Sequence, residues 1–211
     1  ACITEFQKKK LIEAGYDKNK ITVIPNSIDA PCSYTPTSGE YIAYIGRLSY
    51  EKGYDLLVEV ARKHPEIKFC FAGAQREKNN TEIPKNVEFK GYLQKKELSK
   101  FIQESRFIVI PSRCYEGFPM AILEAACHGK PAIAPNHGGF TEIIGQGENA
   151  IGKLFEPSNT DDLDKQIAEL WNNQTLTEEL GEKAFKKLKK HYDSEVVYKQ
   201  WETLFSKLKN S

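Results

Sequence analysis

Six short apolar runs punctuate the middle of the chain: Tyr41–Ile45, Lys68–Phe71, Val87–Phe89, Phe107–Ile110, Pro131–Ala134 and a weaker Ala150–Leu154. Each is too short for a helix and rich in Ile, Val, Phe or Tyr, the pattern of strands buried on both faces. Between them apolar residues recur at helical spacing. Gly53–Lys63 carries Leu56, Leu57, Val60 and Ala61; Lys95–Glu104 carries Leu98, Phe101 and Ile102; Pro119–His128 follows. This alternation predicts an α/β fold with a parallel sheet, right-handed crossovers and helices on both faces.

The ends read differently. Glu5–Ala14 is a helix pattern stopped by Gly15. Ile21–Ile24 predicts a short strand ended by Pro25-Asn26, and Pro31–Gly39 a loop. After Pro157 three helices are expected, over Asp161–Asn172, Thr177–Tyr192 and Ser194–Leu208. Thr160 or Asp161 suits the first cap, and Thr177 with Glu178 and Glu179 suits the start of the second.

Composition narrows the function. The 211 residues are 40% hydrophobic and 28% charged, enough for a real core with a solvated surface. A net charge of +1 argues against a nucleic-acid binder driven by phosphate neutralisation. The five cysteines form no CxxC, so neither a disulfide framework nor a zinc site is expected, and the set suits a reducing cytosol. Cys70 and Cys127 read as small core residues. No run is long and apolar enough to span a membrane. The chain begins Ala1-Cys2-Ile3, without Met, and reads as a segment of something longer.

In open parallel sheets ligands bind at the carboxyl ends of the strands. After the first strand stands Gly46-Arg47-Leu48-Ser49-Tyr50-Glu51-Lys52-Gly53, where Gly46 permits a tight turn and two cations flank a loop leading into a helix. Alone, these are equally well two solvated charges. After the fourth strand comes Glu116-Gly117-Phe118-Pro119-Met120-Ala121-Ile122-Leu123-Glu124. Pro119 suits the first helical position. Glu124 then falls roughly 7.5 Å along the axis and leans back toward the helix start, in an apolar frame unlike a solvated face. A carboxylate there can accept from two vicinal hydroxyls, as on a ribose. After the fifth strand, Gly138-Gly139 enter a short helix and can bring backbone N–H groups to a ligand. His137 is a lesser candidate for a general base, and His128 reads as packing or surface.

Together these pieces resemble the donor-binding domain of the retaining GT-B glycosyltransferases of family 4. The likeness covers about Ser33 to Leu208. Its strongest motif is Glu-x7-Glu, here Glu116 to Glu124, supported by GRLSYEKG at 46–53, VEFKGYL at 87–93 and GGFTEII at 138–144. The resemblance implies a Rossmann-like sheet, the C-terminal half of a GT-B fold. Residues 1–32 would lead in from an absent N-terminal acceptor domain, 33–192 would bind the nucleotide-sugar, and a helix in 193–211 would pack back toward that domain. It also implies roles: Arg47 and Lys52 on the diphosphate, Glu124 on the ribose, and Glu116 with the backbone of Gly117, Phe118 and Met120 on the sugar. Leu93 would meet the base, with Lys95 nearby, and Gly46, Gly138 and Gly139 would line the pocket. The substrate would be a UDP-, GDP- or ADP-sugar, with no cofactor or metal; no Asp-x-Asp follows a strand. Pro119, where many members carry glycine, removes one N–H from the ligand side. A nucleotide-sugar binding module without transfer activity is the rival reading. The cluster Lys186, Lys187, Lys189 and Lys190 reads either as a solvated helix face or as a contact with the inner face of an anionic membrane.

Overall fold

The computed structural model describes residues 1–36, 38–75 and 82–209. Thr37, inside the expected 31–39 loop, and the last two residues lie outside the described residues.

All six expected strands form: β1 (Tyr41–Ile45), β2 (Phe69–Ala72), β3 (Val87–Gly91), β4 (Ser105–Val109), β5 (Ala132–Pro135) and β6 (Gly152–Phe155). They make one parallel sheet in the order β3-β2-β1-β4-β5-β6. Side chains alternate across it. Ile42, Tyr44, Phe69, Phe71, Phe107, Val109 and Ile133 face one core, which holds helices α2 (Tyr54–Lys63) and α6 (Thr160–Asn172). Ala43, Cys70, Ala72, Ile108, Ala132 and Ala134 face the other, against α3 (Lys95–Glu104), α4 (Met120–Ala126) and α5 (Gly138–Ile144). Ala43, Cys70, Ala72, Ala132 and Ala134 on the second face are small, so the Ala-rich α4 can approach the sheet closely. Burial pushes the thiols of Cys70 and Cys127 up to about 11, as expected of inert core cysteines.

Helix α1 (Glu5–Glu13) precedes the sheet, and α7 (Gln174–His191) and α8 (Ser194–Lys209) follow it. Three local expectations are corrected. Ile21–Ile24 does not form a strand: only Val23 pairs, in one bridge to Cys2, because the partner segment is too short to extend a ladder. Asn159, rather than Thr160 or Asp161, caps α6 by accepting from the amides of Asp161 and Asp162. Helix α7 begins at Gln174 under an Asn173 cap. Thr177 is instead buried, its hydroxyl 2.7 Å from the Leu170 carbonyl oxygen and 3.0 Å from that of Asn173.

The strand order reverses between β1 and β4. Crossovers leave these neighbours in opposite directions, which opens a crevice at their carboxyl ends.

Candidate functional site

The loops that leave β1 and β4 meet in this crevice. Lys52 and Glu116, 64 residues apart, pair at 2.7 Å with side chains only 23% and 22% exposed. Behind them the two loops are tied together. The Arg113 amide donates to the Glu51 carbonyl at 2.9 Å, and the Arg113 guanidinium forks onto Asp55 with two bonds of 2.7 Å. It also lies 3.9 Å over the Tyr50 ring. Arg47 stands at the same end of β1 but faces solvent, 3.3 Å from Glu51.

A third loop joins from β5. The Gly139 amide donates to the Glu116 carbonyl at 2.9 Å. A Cβ at residue 139 would lie 2.4 Å from the Gly117 carbonyl oxygen, so the approach of these two turns requires glycine. The structure therefore brings Lys52, Glu116, Gly117, Gly138 and Gly139 together. Gly46, whose amide bonds the Ala72 carbonyl at 3.0 Å, starts the first loop.

Pro119 is extended, with φ −75° and ψ 98°, and precedes the first helical residue, Met120. Glu124, one turn into α4, lines a cleft of about 450 Å³ with Ile28, Asp29, Lys95, Ser99 and His128. Among the described residues its carboxylate accepts no hydrogen bond, and burial holds its pKa above the ordinary carboxylate value. The folded chain thus keeps this proton to higher pH than the unfolded chain. Stability falls as pH rises through the window that opens at the ordinary glutamate value, and above the folded pKa the penalty is complete. Glu124→Gln is expected to raise the melting temperature near about pH 7 and to leave it unchanged near about pH 4. Thermal melts at both values check this, and an equal effect at both would rule out the buried charge as its cause.

Other expected site residues lie elsewhere. Leu93 packs at the edge of the core while Lys95 and Leu98 line the cleft. The Phe118 ring is buried edge-on to Tyr192, 5.5 Å away, and the Met120 side chain faces a groove shared with Ile24, Val197 and Trp201. Such positions leave only their backbones available to a ligand in the crevice. The His137 ring is packed between Tyr115 and Phe140, its nitrogens buried, and burial holds its pKa below the usual histidine value. Asp29, Ser99 and His128 carried no sequence signal as cleft residues; the only hint for His128 was its place at the end of the Glu124 helix.

Of the α7 lysines, Lys186 pairs with Glu182 and Lys189 with Asp193. Lys187 turns inward to the Ile143 carbonyl at 2.7 Å. That face carries less free charge than the sequence suggests. No described helix is long and apolar enough to cross a membrane, and no described cluster of His, Cys, Asp and Glu could hold a metal.

A six-stranded parallel sheet of this order, flanked by helices, matches the C-terminal Rossmann half of known GT-B glycosyltransferases. The chain belongs to the family described as glycosyl transferases group 1, which it matches over residues 33–187. An uncharacterized glycosyltransferase of Methanocaldococcus jannaschii is 32% identical over 189 residues, 86% of this chain and 52% of the relative. The poly(ribitol-phosphate) alpha-N-acetylglucosaminyltransferase of Staphylococcus aureus is 27% identical over 219 residues, 97% of this chain and 43% of that protein. The crystal structure of Anabaena Alr3699/HepE in complex with UDP matches with a TM-score of 0.87 at 19% identity, covering 98% of this chain and 63% of that one. The same Anabaena protein has been solved with UDP-glucose, matching with a TM-score of 0.83 at 20% identity. The chain spans about half the length of the first curated relatives it matches.

Proposed function

We propose that this chain is the donor-binding part of a retaining glycosyltransferase and takes up a nucleoside-diphosphate sugar at the β1–β4 crevice. The observation that carries the reading is the Lys52–Glu116 pair at the switch point of the sheet. Without ligand, Glu116 neutralises Lys52. A diphosphate arriving there competes for the ammonium and frees the carboxylate to accept from sugar hydroxyls. Arg47, at the rim, adds a second cation. The amides around Gly117, Gly138 and Gly139 border the sugar side, and Glu124 accepts from the ribose hydroxyls in its cleft.

Transfer breaks the bond between the anomeric carbon and the phosphate oxygen and forms one to the acceptor oxygen on the same face. The acceptor proton leaves with the departing phosphate. Lys52 and Arg47 stabilise the charge that builds on that phosphate, so the catalytic contribution of this half is electrostatic. The acceptor would sit on a second, N-terminal domain, with residues 1–32 leading from it and residues 193–211 reaching back. The coverage of about half of each relative supports that arrangement.

Titration calorimetry of the chain against UDP, GDP, ADP and UDP-glucose tests the reading. The UDP and UDP-glucose bound to the Anabaena protein make the uridine ligands the first choice. Binding of at least one nucleoside diphosphate is expected. No heat with any of them at about millimolar concentration, the weak end of specific affinities, would remove the proposal.

A further inference from the structure

Helix α1 is fastened across the site by a residue far away in sequence. The Glu142 carboxylate, on α5, accepts from the Glu5 amide with Oε1 and from the Phe6 amide with Oε2, each at 3.0 Å. These are the first two amides of α1, the unsatisfied donors that attract a negative charge. The helix already has a local cap, because buried Thr4 accepts from the Gln7 amide at 3.2 Å. What Glu142 adds is a tie between two segments 136 residues apart.

The tie has a consequence at the Glu116–Gly117 turn. Helix α5 touches that turn from one side through Gly139. Helix α1 covers it from the other: Phe6 stacks on Tyr115 with centroids 5.7 Å apart and planes 11° from parallel. The Gln7 carboxamide lies against Gly117, where a Cβ would come within 2.4 Å of its Nε2. Its oxygen is engaged by the Ile3 amide at 3.1 Å, which fixes the group with its NH2 toward the turn.

We propose that Glu142 is a positioning residue that clasps α1 over the Glu116–Gly117 turn, and that the Gln7 NH2 it places there donates to an oxygen of the donor sugar. This rests on the donor-site reading above. It makes part of the sugar's specificity reside in α1, outside the residues 33–187 that match the family.

The test uses this chain with Glu142→Ala, Glu142→Gln and Gln7→Ala. Amide hydrogen exchange reads the clasp, and calorimetry with UDP and UDP-glucose reads the gain in affinity due to the sugar. Glu142→Ala is expected to speed exchange at Phe6 about tenfold, with Glu142→Gln, which keeps one acceptor, in between. Both Glu142→Ala and Gln7→Ala are expected to reduce the UDP-glucose to UDP affinity ratio about fivefold, with UDP alone within about twofold. An unchanged ratio in folded Glu142→Ala or Gln7→Ala overturns the proposal; if Glu142→Ala does not fold, the isosteric Glu142→Gln decides it. Failure of the unmodified chain to bind either ligand would sink the donor reading and the sugar contact together, while faster exchange at Phe6 would still establish the clasp.

Discussion

Replacing Lys52 by alanine is expected to weaken binding of a nucleoside diphosphate roughly a hundredfold, because a charge-assisted contact to phosphate is worth about 1.5–3 kcal/mol. Two effects add in the same direction. The variant removes the ammonium that meets the phosphate, and it leaves the Glu116 carboxylate, otherwise held 2.7 Å from Lys52, facing the incoming anion alone. The loss should therefore exceed that of Arg47→Ala, whose side chain is 44% exposed and pairs at 3.3 Å with a neighbour on its own loop. The double variant Lys52→Ala/Glu116→Gln should recover part of the affinity by relieving the repulsion. Stability should fall by about 1 kcal/mol or somewhat more, since the pair is mostly buried and the variant leaves the Glu116 carboxylate without its partner. Calorimetry with UDP at two salt concentrations checks the expectation, and undiminished affinity in Lys52→Ala would remove this lysine from the site.

The sheet was legible because its strands are buried on both faces. Tyr41–Ile45 could be bounded to the residue, and so could the α3 helix at Lys95–Glu104, since apolar patterning reports burial directly. The false strand at Ile21–Ile24 shows the limit of that signal: β-branched residues favour extended backbone, but a strand also needs a partner, and Cys2 offers only one bridge. The start of α7 was missed because Asn173 and Thr177 are both plausible caps, and tertiary burial of the Thr177 hydroxyl decides between them. At the site, the motif spacing placed Glu116 and Glu124 on either side of the α4 start. It could not show that Lys52 and Glu116 pair across 64 residues, or that Glu142 reaches back to α1. Those contacts depend on strand order, which no local pattern encodes.

A large loss of stability from a single methyl group is expected at Gly53. This residue joins the cation loop to α2 with φ 69°, the left-handed region, and a Cβ there would lie 1.8 Å from the Pro111 carbonyl oxygen and 2.8 Å from its carbon. The obstructing atoms are backbone, so no rotamer change can yield, and the loops after β1 and β4 must separate. Gly91 is the natural control, since it has the same φ of 69° but nothing within 4 Å of the built Cβ. Gly91→Ala should therefore show the conformational penalty alone, about 1–2 kcal/mol. Gly53→Ala should add an overpacking cost of about 1–3 kcal/mol to it. Urea unfolding of both variants separates the two costs. Lys52 is the residue before Gly53, and the Glu116 loop begins at Pro111, so whatever Gly53→Ala protein remains folded should also bind UDP more weakly, whereas Gly91→Ala protein should bind normally. Equal destabilisation by the two substitutions would mean that the Gly53–Pro111 approach does not hold the two loops together, and the Lys52–Glu116 pair would then need another explanation.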